Sequence, residues 1–447
     1  MSETIEQADV RLHELIESKT YDRIQGLIDI LKPADIAHLL ASSPAKERRV
    51  IWNLFDAEAQ ADIIPFVDEE IVEDILGDKP AEEIADVLDA VEDDDTADIL
   101  QHLPDTLTRQ ILDSMDEINR SRVEQLLAYP EDTAGGLMDT GITSVRARVS
   151  IDVVLRYLRR HSELPPTTDN IFVVNSSGEY IGLLPLTTIL TSDPGSTVRE
   201  MMNTDIEPIH ADTARSEVVA IFERYDLVSA PVINDDGLLI GRITIDDVVD
   251  VIIDEADHSI LGMAGLNETD DTFAPILVTL KSRAFWLGAN LLTAFIAAGV
   301  INLFEATIEK VVALAVLMPI VASMGGVAGS QTLTLVIRNT AQGNLFESNM
   351  RWLLNRELAV GALNGIFWAG VVAICASLVF QDLLLGGIIA VALVINLVVA
   401  ALSGALLPGI LKRLGIDPAI AGTVVLTTIT DVVGFMSFLG LATLFYA

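Results

Sequence analysis

Cysteine and positive charge are both scarce in this 447-residue sequence. Cys375 is the single cysteine and lies in an apolar run, so no disulfide framework can form within the chain. Lys and Arg number 28 against 65 Asp and Glu, a formal net charge of −37. So acidic a chain repels nucleic acid and anionic lipid headgroups, which excludes nucleic acid as a partner and makes cations its natural small partners. A halophilic or merely soluble surface would carry the same charge. The first residues, MSETIEQADV, lack the basic and apolar regions of a signal peptide, so the soluble part is expected in the cytoplasm. No nucleophile–base set stands out, and the glycine runs GMAG and GGVAG lack the lysine of a phosphate-binding loop; an enzyme is not expected.

The acidity is not evenly spread. From Arg283 onward the chain holds seven acids and seven bases, which leaves 58 of the acids and 21 of the bases in residues 1–282. All of the net charge belongs to that first part. Within it, residues 1–132 read as short amphipathic helices: in IADVLDAVEDDDTADILQHLP, residues Ile84, Val87, Leu88 and Val91 keep helical spacing, and Ile99, Leu100 and Leu103 follow an acidic turn. PADIAHLLASSP and EEIVEDILGDKP repeat the unit, each closed by a proline. The pattern predicts an all-α superhelical domain of regulatory or interaction type.

An internal duplication comes next. GLMDTGITSV (136–145) matches EMMNTDIEPI (200–209), and Asn175, Gly178 and Gly182 correspond to Asn234, Gly237 and Gly241. Each copy predicts a helix, a β-branched strand, an Asn-x-x-Gly turn, a second strand and another helix. These residues resemble a tandem pair of α/β cystathionine-β-synthase (CBS) domains, at 136–199 and 200–256. That resemblance implies a cleft, often for an adenine nucleotide such as ATP, and frequent dimerisation. Thr244 and Asp247 look like its ribose-contacting Thr-x-x-Asp, whereas the first copy departs with Pro185 and Thr188. Asp247 would equally serve as a helix cap.

From Asp246 the sequence DDVVDVIIDEADHSILGMAGL predicts one connecting helix over 246–270, with Asp247, Asp250 and Asp254 along one side. Like charges at that spacing weaken a helix unless water or a divalent cation neutralises them. Beyond it, about five apolar stretches are long enough to cross a bilayer, near 283–304, 311–337, 357–380, 384–411 and 418–446. Basic residues Arg338, Arg351, Arg356, Lys412 and Arg413 fall in alternate breaks, which places the N-terminus inside and the C-terminus outside. The second stretch contains PIVASMGGVAGSQTLTLVIRN and the fourth LSGALLPG, where Gly and Pro favour close helix approach or backbone breaks.

The fifth stretch contains TTITDVVGF, and its Asp431 has no Lys or Arg in any span interior to pair with. A carboxylate at membrane depth costs about 2.5–3.5 kcal/mol even on the mild insertion scale. Asp431 is therefore protonated, or caps a broken half-helix ahead of Gly434, or lines a watery cation path. In the last case Thr427, Thr428 and Ser330 would hold hydration water, which suits magnesium because it sheds water reluctantly.

PIVASMGGVAGSQTLTLVIRNTAQG and LSGALLPGILKRLGIDPAIAGTVVLTTITDVVGF, with the order of parts over nearly the whole chain, are similar to the MgtE family of magnesium channels. The resemblance implies a homodimeric, multi-pass Mg²⁺ channel of the prokaryotic cytoplasmic membrane, a membrane domain of five helices over 283–447, and Asp431 at the pore. It further implies that the connecting helix plugs the mouth when cytosolic Mg²⁺ is high, through metal ligands carried onto Asp247, Asp250, Glu255 and Asp417. Two departures bear on this. Val327 and Ser330 replace the asparagines of the GGNAGNQ found in many relatives, and His258 and Ser259 stand where plug acids are expected. Transport of another divalent ion, such as Co²⁺ or Mn²⁺, is the second reading, although oxygen ligands favour hard cations. A membrane-anchored sensor is the third.

Overall fold

The structure is a computed structural model that describes residues 31–160, 164–165, 167–266, 273, 276–341, 345 and 347–446. The expected parts of the chain at 1–30 and 267–270 lie outside these residues. It divides into two compact units, residues up to 253 and residues 254–266 with 276–446.

The first unit begins with eight short helices: α1 (Pro33–Ala41), α2 (Ala45–Trp52), α3 (Ala57–Ile63), α4 (Glu69–Leu76), α5 (Ala81–Leu88), α6 (Asp93–Gln101), α7 (Asp105–Ser114) and α8 (Glu117–Leu126). None is long enough to be stable alone, so each depends on packing its apolar stripe. Most pack on the next helix but one: α1 on α3, α2 on α4, α3 on α5, α5 on α7 and α6 on α8. This is the superhelical stacking that the repeat predicts, with Ile84, Val87, Leu88, Ile99, Leu100 and Leu103 all in its core. The prolines act differently from expectation. Pro44, Pro80 and Pro104 stand at the N-caps of α2, α5 and α7, so they open the following helix rather than close the one before. The reason is steric, since proline needs no donor at a helix start and fixes φ there. Arg48 is wholly buried and ties the stack by donating to the carbonyl of Leu40 at 2.9 Å and pairing with Asp74 at 3.3 Å.

Two three-stranded sheets follow. The first consists of β1 (Ser144–Arg146), β2 (Asn170–Val174) and β3 (Tyr180–Pro185), with α9 (Ile151–Leu158), α10 (Leu186–Thr191) and α11 (Val198–Met201). The second consists of β4 (Ile209–His210), β5 (Ser229–Ile233) and β6 (Leu239–Thr244), with α12 (Arg215–Tyr225) and α13 (Ile245–Met263). In each sheet the first pair is parallel, the second is antiparallel, and the register slips at the same place, Val173/Val174 and Val232/Ile233. The Asn-x-x-Gly turns are equivalent too. Asn175 Oδ1 accepts from the amides of Ser177 and Glu179, Asn234 Oδ1 from those of Asp236 and Leu238, and Gly178 and Gly237 take positive φ. The turns then pair with each other through Tyr180 N to Gly237 O and Leu239 N to Gly178 O, both 3.2 Å.

Five long helices make up most of the second unit: α14 (Ile276–Asn302), α16 (Ala313–Ala341), α17 (Glu347–Phe380), α18 (Leu383–Arg413) and α19 (Pro418–Tyr446), with a short α15 (Glu305–Lys310) between the first two. All five are long and apolar enough to cross a membrane. Large apolar side chains such as Phe285, Phe295, Leu363, Phe367 and Leu378 are exposed along them, as lipid contact requires. The helix α17 starts ten residues before the expected span, and its 34 residues reach about 50 Å, so its first turns with Arg351 and Arg356 extend past the hydrocarbon zone. At the centre is α18, which packs on α16, α17 and α19. Its start is capped by Asp382, whose Oδ1 accepts from the amides of Leu384 and Leu385 and whose Oδ2 meets the Tyr446 hydroxyl.

The expected backbone breaks do not occur: α16 continues through Pro319 and three glycines, and α18 through Pro408. The glycines serve close approach instead. A Cβ on Gly329 would lie 2.9 Å from a methyl of Leu426, and one on Gly404 would lie 2.6 Å from the carbonyl oxygen of Gly329.

Candidate functional site

On α19, residues Gly422, Leu426, Thr430, Gly434 and Phe438 recur every four positions and all are buried. That stripe fixes the helix's rotation, because i and i+4 share a face. Thr427 and Asp431, one position further on, are thereby turned onto a neighbouring face. There they line an open groove of about 930 Å³ together with Ser323, Gly326, Val327, Ser330, Gln331 and Thr334 of α16. The groove thus brings together Ser330, Thr427 and Asp431. Thr428 is not among its lining residues; it lies a further 100° round the helix and its hydroxyl donates to the Val424 carbonyl. Ser323, Gln331 and Thr334 complete the polar lining. Their signal in the sequence is the i, i+8, i+11 spacing of Ser323, Gln331 and Thr334 through SMGGVAGSQTLT, which keeps them on one helix face.

Asp431 is half-buried and accepts no hydrogen bond or ion pair from any described residue. It does not cap a half-helix, because α19 runs unbroken from Pro418 to Tyr446. An unpaired carboxylate facing an open groove, beside hydroxyls and an amide, is equipped to hold a hydrated cation. Val327, 57% exposed, sets an apolar patch in the same wall.

A second group of carboxylates forms in the first unit. Asp247 on α13 caps its own helix, accepting from Thr244 N at 3.0 Å and Thr244 Oγ1 at 2.9 Å. Thr244 is buried and also bonds Asp246, so the Thr-x-x-Asp pair is engaged within the protein. Around it stand Asp94 and Asp95 from the start of α6, Asp139 from the segment before β1, and Asp250. Asp94 is 6% exposed, and its Oδ1 has no hydrogen-bond partner among the described residues. Burial, and then the charge of Asp247, hold the Asp94 carboxyl well above the usual range. The same causes push Asp95 up to about 7, and burial raises Asp247 to about 7 against the lowering effect of its Thr244 bonds. Burial followed by the charge of Asp246 raises Asp250. Arg242 offsets part of this by pairing with Asp139 at 3.0 Å. Such a set holds protons readily and has the oxygen chemistry of a hard-cation site, although no three of its carboxylates bring oxygens within 4.8 Å of one another. The EDDD run at 92–95 is the sequence signal for Asp94 and Asp95; Asp139 has none.

Glu255 and Asp417 are in the second unit. Asp417 heads α19 by accepting from Ala419 N at 2.6 Å, and its other oxygen meets His258 Nε2 at 2.6 Å. The end of α13 is therefore joined to the α18–α19 loop by a direct side-chain bond.

An all-helical membrane unit with a groove holding a carboxylate, on a chain that also carries stacked short helices and paired CBS-type sheets, defines a polytopic membrane protein with acidic accessory domains. Comparison with known proteins makes this specific. Residues 318–441 match the family model described as a divalent cation transporter, residues 31–132 the MgtE intracellular N domain, and residues 198–254 the CBS domain. The magnesium transporter MgtE of Thermus thermophilus is 34% identical over 345 residues, covering 74% of each chain. That of Bacillus subtilis is 29% identical over 444 residues, 99% of this chain and 98% of that one. A crystal structure of the cytosolic domain of the Mg²⁺ channel MgtE in complex with ATP is 30% identical with a TM-score of 0.50, covering 54% of this chain and 99% of that chain. The chain belongs to the MgtE family of divalent cation transporters.

Proposed function

We propose that this protein carries Mg²⁺ across the cytoplasmic membrane through a path lined by Asp431, with its N-terminal domains inside and its C-terminus outside. The observation that carries this reading is the groove itself, in which Asp431 has no protein partner among described residues and faces Ser330, Thr427 and Gln331. Hydroxyl and amide oxygens at that depth suit an ion that keeps part of its water shell. The magnesium transporters most like it support the choice of ion. Orientation is supported by Arg351 and Arg356 at the start of α17, where Arg356 also lies 5.9 Å over the Trp352 ring, as at a lipid–water boundary.

The groove is open on one side, and α14 is exposed along most of its length. Both features support a homodimer in which a second copy closes the path. Two copies of Asp431 would then face one axis and share the cation.

In this proposal the carboxylates around Asp94, Asp95, Asp247 and Asp250 bind regulatory Mg²⁺, and the cytosolic part packs closely only when that cation is present. Falling Mg²⁺ lets the acids repel, and the path opens. Glu255 and Asp417 would take part at the other end of α13. ATP is the candidate ligand of the paired sheets, supported by the ATP complex of the similar cytosolic domain. Mg²⁺ flux into liposomes, for wild type beside Asp431→Ala with cytosolic-side Mg²⁺ varied, tests the whole reading. Flux that needs Asp431 and shuts as Mg²⁺ rises is the expected result; flux indifferent to the substitution removes the pore role.

A further inference from the structure

Asn396 lies midway along α18, fully buried, inside the apolar run ALVINLVVA. Its Nδ2 donates to the Val321 carbonyl of α16 at 2.8 Å, while its Oδ1 has no partner among the described residues. The amide occupies a notch cut by two glycines on different helices. A Cβ on Gly325 of α16 would come within 2.3 Å of Nδ2, and a Cβ on Gly434 of α19 within 2.9 Å of the same atom. Neither helix can carry a larger residue there unless the Asn396 amide is displaced or the helix moves away from α18.

A buried amide that leaves one polar atom unpaired is poor economy for packing. Leaving the oxygen unpaired costs more than the one bond returns. An apolar residue of the same shape would hold three helices together at least as well. What the amide adds is direction, because its single bond sets α18 against one carbonyl of α16. Each contact borders the groove. Val321 precedes Ala322 and Gly325 precedes Gly326, both of which line it, and Gly434 is within one turn of Asp431.

We infer that Asn396 is a positioning residue for ion selection: seated in the Gly325–Gly434 notch, it sets the separation of α16 from α19 and so the distance across which Asp431 and the α16 oxygens share a cation. The inference rests on the reading of the groove as a cation path. Selectivity among hydrated divalent ions depends on that span, so a change in the notch changes which ion fits as well as how fast it passes.

The test uses full-length protein in liposomes, with uptake of Mg²⁺ and of Mn²⁺ measured for wild type, Asp431→Ala, Asn396→Ala, Gly434→Ala and the Asn396→Ala/Gly434→Ala double variant. Asn396→Ala should lower Mg²⁺ flux about tenfold, the equivalent of one hydrogen bond's worth of positioning. It should also move the Mn²⁺:Mg²⁺ ratio, which a loss of correctly assembled protein would leave alone. Gly434→Ala adds bulk to the notch where Asn396→Ala empties it, so it should move the ratio in the opposite direction, and the double variant should return toward wild type, because removing the amide makes room for the methyl. A ratio unchanged in Asn396→Ala, or moved the same way by both substitutions, overturns the inference. Should Asn396→Ala fail to assemble, Gly434→Ala decides by the same ratio. Flux that survives Asp431→Ala unchanged removes the cation path and this inference with it, whereas Asp431-dependent flux with a silent Asn396→Ala removes this inference alone.

Discussion

His258 Nε2 lies 2.6 Å from Asp417 Oδ2, so a residue standing where a plug acid was expected bonds directly to a residue expected to hold metal. An acid at position 258 would need a cation between itself and Asp417; a histidine does not. In the proposed gating, closure at this end of α13 is therefore expected to depend less on Mg²⁺ than it would with a pair of carboxylates. His258→Glu should steepen the Mg²⁺ dependence of channel closure, and His258→Ala should leave more residual flux at high cytosolic-side Mg²⁺, by about two- to tenfold for a charge-assisted bond. Flux against cytosolic-side Mg²⁺ measures both.

The carboxylates around Asp247 predict an inverse pH response. Asp95 and Asp247 ionise near 7 in the folded protein against 3.8 ordinarily. Below about 4 they are protonated in both folded and unfolded chains, and stability is undiminished. Between about 4 and 7 the unfolded chain has lost protons that the folded state still holds, so stability falls across that window and levels off above 7. In chelator, the thermal midpoint of the protein should drop between about pH 4 and 7, and Mg²⁺ should flatten that slope.

Substituting one of these acids should act the same way as protonation. Asp95→Asn is expected to raise stability in chelator at pH 7.5 by about 1–2 kcal/mol and to reduce the added stabilisation by Mg²⁺. Thermal unfolding with and without Mg²⁺ reads both effects. A fall in chelator stability would show that Asp95 is not under repulsion.

Val327 puts an apolar patch on the groove where many MgtE relatives have asparagine. Val327→Asn with Ser330→Asn should add oxygen contacts to a hydrated ion and raise the preference for Mg²⁺ over Co²⁺ several-fold. Competition of Co²⁺ against Mg²⁺ uptake checks this.

Thr244 and Asp247 bond each other and cap α13, so a nucleotide at this site must exchange protein hydrogen bonds for its own. Asp247→Ala should therefore weaken ATP binding by about tenfold and blunt the Mg²⁺ response of the same protein. Calorimetric titration with ATP, in the absence and presence of Mg²⁺, measures the first.

What could be read from the sequence was whatever repeats at short range. The helical units, the offset duplication, the single helix after Asp246 and the five apolar runs each rest on local pattern and each appears in the fold, although the helix after Asp246 stops at Met263 rather than 270, with Gly265 at positive φ beyond it. Asp431 announced itself by being a lone acid in an apolar run. The partners of Asp247 did not, because Asp94 and Asp139 reach it across more than 100 residues and only packing decides which acids meet. Prolines and glycines mislead for a related reason. Local propensity treats Pro44 and Gly329 as interruptions, whereas the fold uses one to begin a helix and the other to admit Leu426. Asn396 carried no periodic signal; its importance lies in two glycines contributed by two other helices.

The rotation of α19 leaves its scaffold and its chemistry one residue apart: Thr430 faces the packed interior and Asp431 the groove. A helix built this way accepts exchange at many positions but has no tolerance for a change of length. Inserting one residue between Gly422 and Leu426 would advance everything beyond it by about 100°, bringing Thr430 to the groove and taking Asp431 away. Through this stretch, descent can exchange letters away from the packed stripe and the groove, but it must preserve their count.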